Sequence, residues 1–140
     1  MNIMNILRII LSYIITILVF IALDMAWLGL VAKNLYRKYL GSLLSEKVNW
    51  IAAIAFYLIF IAGIFIFVIY PSVEKQSITR AMILGAVFGF ITYATYDLTN
   101  YATLKDFPLT IVFIDLVWGA VITSLVSLVG FYIVKLAGSI

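Results

Sequence analysis

Cysteine and histidine are both absent from the 140 residues, and charged residues make up only 11% of them. The first absence excludes disulfides, thiol nucleophiles and thiolate metal sites. The second excludes imidazole metal ligands, histidine haem ligation and Ser-His-Asp chemistry. Proline occurs only twice, as Pro71 and Pro108, so little breaks the long segments. Nine Lys and Arg give a net charge of +3, but they are scattered. That excludes a nucleic-acid patch and leaves, at most, an affinity for an anionic membrane surface. What the chain has in excess is apolar side chain. It is 66% hydrophobic, against about 45–50% in soluble domains. So short a chain cannot hide that much apolar surface in a soluble core, so most of it faces membrane lipid.

Four stretches reach the about 20 apolar residues that a spanning helix needs. They are helix 1 over about 9–32, helix 2 over about 48–70, helix 3 over about 81–104 and helix 4 over about 107–134. The first is too long for the about 7–15-residue core of a cleaved signal peptide and carries Asp24 and Trp27, so it reads as a retained span. Pro71 is expected to end helix 2. Ser77 is expected to cap helix 3, and Asp106 to cap helix 4 with Pro108 in its first turn. The short joins at 71–80 and 105–106 make their flanking helices antiparallel neighbours. The expected fold is all-α: one integral membrane domain over 1–140, an antiparallel four-helix bundle with both termini on one side.

The first join, 33–47, carries Leu35, Tyr36, Tyr39, Leu40, Leu43 and Leu44 at helical spacing. That pattern predicts a short amphipathic helix at the membrane interface, the alternative being a loop broken by Gly41. Arg8, Lys75, Arg80 and Lys135 fall on the side of the termini. Lys33, Arg37, Lys38, Lys47 and Lys105 fall on the other. This near-balance does not choose an orientation under the positive-inside rule. It fits a single topology set by context, or dual insertion.

Ionisable residues inside a span cost about 2.5–3.5 kcal/mol each on insertion scales and mark functional sites. Here there are three, Asp24, Asp97 and Asp115. Helix parity puts all of them in the membrane half next to the 33–47 join, on one level and opening toward that join. Asp24 is followed three residues on by Trp27, and Asp115 by Trp118, with a glycine nearby in each case. At that spacing each indole shares a face with its own aspartate. Helix 3 adds Tyr93, Tyr96 and Asn100 around Asp97, together with threonines that can bond their own helix carbonyls. No Lys or Arg lies within the spans to neutralise the cluster. Three close carboxylates in low dielectric cannot all stay ionised cheaply. They share protons, hold a cation, admit water, or form a satisfied network that locks the bundle.

Asp24-Met25-Ala26-Trp27-Leu28-Gly29, Phe56-Tyr57 with Ala62-Gly63, Tyr93-Ala94-Thr95-Tyr96-Asp97-Leu98-Thr99-Asn100 and Asp115-Leu116-Val117-Trp118-Gly119 resemble the bacterial membrane-protein family called domain of unknown function 2177 (DUF2177). The resemblance covers nearly the whole chain and is most specific in helix 3. It implies a small four-helix integral protein of a bacterial cytoplasmic membrane and carries no activity with it.

Function therefore rests on the residues. The leading expectation is binding or transport of a cation, a proton-coupled small molecule or a lipid headgroup. The site would be built from Asp24, Asp97, Asp115, Asn100, Tyr93, Tyr96, Trp27 and Trp118. Four helices enclose little volume, so transport calls for a homodimer, through the Gly85 and Gly89 face or an apolar face of helix 2. No cofactor is implied, and carboxylate-only metal binding has no spacing motif behind it. One alternative is an intramembrane enzyme using paired aspartates on a lipid or peptide. Tyr96-Asp97 matches half of the intramembrane aspartyl protease pattern, but the Gly-x-Gly-Asp half is missing, since Val112-Phe113-Ile114 precedes Asp115. The other alternative is a non-catalytic subunit or assembly factor.

Overall fold

A computed structural model describes residues 3–138. These residues form five helices: α1 Ile3–Val31, α2 Lys33–Leu40, α3 Trp50–Glu74, α4 Ile78–Thr103 and α5 Leu109–Ala137. All but α2 are long and apolar enough to cross a membrane. There is no strand among the described residues.

Contacts at both ends fix the helix directions. Arg8 donates to the Gly138 carbonyl at 3.2 Å, and Trp27 stacks on Trp118 with ring centroids 4.3 Å apart. The two contacts set α1 antiparallel to α5. Phe20 meets Tyr57 and Phe60 edge-on while Tyr13 meets Phe65, so α3 runs against α1. α4 and α5 pack along their length. Gly85 and Gly89 of α4 are buried there against Ser127, Thr123 and Gly119 of α5. Small residues let two backbones approach closely, which is how helices associate where lipid removes the hydrophobic drive. The Gly85 and Gly89 face is thus occupied by α5 within the chain. The core lies at the other end of the bundle from α2, where Ile61, Ile64, Val68 and Ile69 of α3 pack on Ile122, Val126 and Val134 of α5.

The helix ends differ from expectation for local reasons. α1 begins at Ile3 and finishes in a π-helical turn, Trp27–Val31. Pro71 does not end α3. A π-helical turn at Phe65–Ile69 widens the helix just before the proline, and the chain continues to Glu74. The wider turn accommodates a residue that cannot donate to the ladder and would crowd the carbonyl four back. Ser77 caps α4 as expected, accepting from the Arg80 N–H at 3.2 Å. Asn49 caps α3 in the same way, from Ala52. Asp106 does not cap α5. It takes a left-handed turn, φ 59°, that reverses the chain, and Pro108 becomes the N-cap residue. The amphipathic segment forms a helix only over Lys33–Leu40. Its apolar residues Leu35, Tyr36 and Leu40 pack on Phe107, Ile111 and Val112.

Candidate functional site

The three aspartates are buried, but they are not on one level. Trp27 lies opposite Trp118, so Asp24 falls opposite Val121, about 9 Å further along α5 than Asp115 at 1.5 Å per residue. Parity of helices assumes common midpoints, and α1 has slid along α5. Among the described residues no three acidic side chains converge closely enough to hold a metal ion.

Each carboxyl has its own surroundings. Asp24 accepts a 2.9 Å hydrogen bond from the Tyr57 hydroxyl. Asp115 accepts one from the Tyr36 hydroxyl, which in turn accepts from the Trp27 indole N–H at 3.3 Å. The Asp-Trp pairs are therefore crossed. Trp27 serves Asp115 through Tyr36, while the Trp118 N–H approaches Asp24 without completing a hydrogen bond. This crossing follows from stacking two indoles on antiparallel helices. Tyr36, outside the spans, is held above its ordinary phenol pKa, first by burial and then by its bond to Asp115.

Asp97 is different. It is 0% exposed, and no donor reaches either carboxylate oxygen. Asp97 and Asp115 line the same cavity. Two neighbouring carboxyls in low dielectric cannot both stay ionised cheaply.

The pair forms the floor of a cavity of about 380 Å³ lined by Phe56, Phe60, Thr92, Tyr93, Tyr96 and the two aspartates. None of its lining residues belongs to the 33–47 join. Its walls come from α3 and α4, where Phe56 and Tyr96 are exposed at the surface of the bundle. Tyr96 is on the rim and 64% exposed, so it faces lipid rather than the bundle interior. Tyr93 packs its ring over Gly119 and stands near Asp24, Asp115, Tyr36 and Tyr57, between the two acidic positions. Asn100 is half-buried and outside the cavity lining. Thr92, Thr95, Thr99 and Thr103 bond their own helix carbonyls, the expected fate of such residues in a span.

Sequence reasoning missed Tyr57, Tyr36, Phe56 and Phe60 as site residues. Tyr57 carries one of the few polar atoms in the middle of an apolar span, which was a usable signal. Tyr36 and the two phenylalanines gave none, since their partners are remote in sequence.

The family described as Predicted membrane protein (DUF2177) matches residues 9–132. No curated protein and no solved structure matches the chain.

Proposed function

We propose that the chain, which belongs to the DUF2177 family of membrane proteins and crosses the membrane several times, binds an amphiphile with an ammonium head and an apolar body. The amphiphile enters from the lipid between α3 and α4. Asp97 carries this reading: it is fully buried, without a donor, and lines a cavity whose walls include the exposed Phe56 and Tyr96. Two neighbouring carboxyls in low dielectric hold a proton between them unless a cation replaces it. An ammonium supplies opposite charge and three donors at once. The cavity, about 380 Å³, is of small-molecule size. Phe56, Phe60 and Tyr93 line its wall, and aromatic faces attract cations in desolvated sites. An incoming ammonium takes the place of the proton shared by Asp97 and Asp115, so binding releases a proton. In a bacterial cytoplasmic membrane this exchange couples the site to the proton gradient.

The test is a titration of a Trp50→Phe protein in lipid nanodiscs with dodecylamine, followed by the fluorescence of the remaining Trp27 and Trp118 beside the acidic positions. Dodecanol and dodecanoate serve as controls of equal chain length. A saturable response to the amine alone, weakened at least tenfold in Asp97→Asn, supports the reading. Equal responses to all three amphiphiles, or an unchanged Asp97→Asn, overturn it.

The placement of Asp97 and Asp115 on one cavity also favours a second reading, an enzyme acting on a lipid or peptide, because two carboxyls sharing one proton activate water in aspartic proteases. That reading requires turnover of a lipid or peptide that both Asp97→Asn and Asp115→Asn abolish.

A further inference from the structure

α2 covers the end of α5. Leu35, Tyr36 and Leu40 lie on Phe107, Ile111 and Val112, a small cluster separate from the main core. One side-chain hydrogen bond ties α2 to the acidic pair, from Tyr36 to Asp115. Beneath the cap, Ile111 is 0% exposed.

On either side of α2 and the buried Ala32, the chain departs from regular α-helix. The preceding turn, Trp27–Val31, is π-helical, contains no buried residue, and includes Gly29, around which a side chain would meet nothing within 4 Å. Single π turns recur at functional sites. After Leu40 the chain runs through turns and irregular, exposed backbone to Asn49. Lys33, Arg37 and Lys38 are exposed on α2, which keeps its outer face among headgroups and water rather than in the bilayer. Trp27 belongs to both the hinge and the latch: it lies in the π turn, and its indole holds the Tyr36 hydroxyl.

We propose that α2 is a gate to the aqueous phase on its side of the membrane, that Trp27–Val31 is its hinge, and that Tyr36 is its latch on Asp115. The Tyr36 hydroxyl donates to the same carboxyl that a departing ammonium needs, so ligand and latch compete. An amphiphile head that enters from lipid at Asp97 and passes to Asp115 displaces Tyr36 and frees α2. The identity of what leaves rests on the ligand reading above; the movement of α2 does not.

Because the chain has no cysteine, a single Ile111→Cys reports what the cap covers. The protein in nanodiscs is labelled with a membrane-impermeant maleimide, with folding checked by circular dichroism. Labelling is expected to be slow with Tyr36 present and at least tenfold faster with Tyr36→Phe, which removes only the donor. Trp27→Phe, which removes the N–H holding the latch, is expected to accelerate it to a smaller degree and serves if Tyr36→Phe does not fold. Dodecylamine is expected to accelerate labelling of the protein that retains Tyr36. Faster labelling in the variants without an amine effect upholds the gate and counts against the ammonium ligand. No acceleration in either variant overturns the gate, whatever dodecylamine does.

Discussion

Gly89→Ala tests the packing that brings the acidic pair together. A Cβ on Gly89 would overlap the Gly119 backbone carbonyl and approach Thr123 Oγ1 to 2.5 Å. Ordinary C···O contacts are about 3.3–3.6 Å, so α4 and α5 must separate by about 1 Å or more. A helix carbonyl cannot swing aside as a side-chain tip can. Overpacking of this kind costs about 1–3 kcal/mol. Replacing a helical glycine by alanine recovers up to about 1 kcal/mol of helix propensity. The clash wins, and a net loss of about 1–2 kcal/mol follows. Gly29→Ala is the control: its Cβ meets nothing within 4 Å, so propensity acts alone and stability is unchanged or raised. Asp97 lies two i+4 steps beyond Gly89 on the same face, so the separation also moves it away from Asp115. Thermal unfolding in detergent, followed by circular dichroism, reads both variants. A Gly89→Ala protein as stable as the unsubstituted one would refute the close α4–α5 contact.

Tyr57→Phe leaves Asp24 without its hydroxyl donor; a loss of about 1–3 kcal/mol is expected for an unsatisfied buried group, read as a lower unfolding temperature, and no loss means the bond is absent. Phe20→Ala empties a fully buried site between Tyr57 and Phe60 and is expected to cost about 3–5 kcal/mol in denaturant unfolding, a loss under half that showing that the site collapses. The Tyr36 phenol is held above its ordinary 10.0, by burial and then by Asp115, with Asp97 adding to the effect. A raised folded-state value means that the folded protein keeps the proton longer than the unfolded chain. The Tyr36 contribution is therefore complete below about pH 10 and declines as the pH rises above it. The stability advantage over Tyr36→Phe is expected to shrink only there, and an advantage that shrinks between pH 5 and 8 contradicts the assignment.

The four spans were legible because apolar length is a property of neighbouring residues. Asp97 and Tyr93 were legible because polar groups in such a span are rare. The threonines of α4 bond their own helix because that option is local and always within reach. What stayed hidden depends on how helices slide and where distant segments fold back. The depth of Asp24 follows from the Trp27–Trp118 stack, which moves α1 along α5. The end of α3 was misplaced because a π turn absorbs Pro71. The cavity brings together residues of α3, α4 and α5, and no pattern within one helix encodes a space between helices. Tyr36 looked like one more residue of an interfacial helix until its partner, Asp115, stood beside it.

Infrared difference spectroscopy of the carboxyl groups addresses the central claim most directly. If Asp97 and Asp115 share a proton that an ammonium replaces, the ligand-free protein shows a protonated-carboxyl C=O band. Dodecylamine converts this band to carboxylate absorption, and in Asp97→Asn the conversion is absent. A protonated-carboxyl band that persists unchanged at saturating dodecylamine would contradict the account.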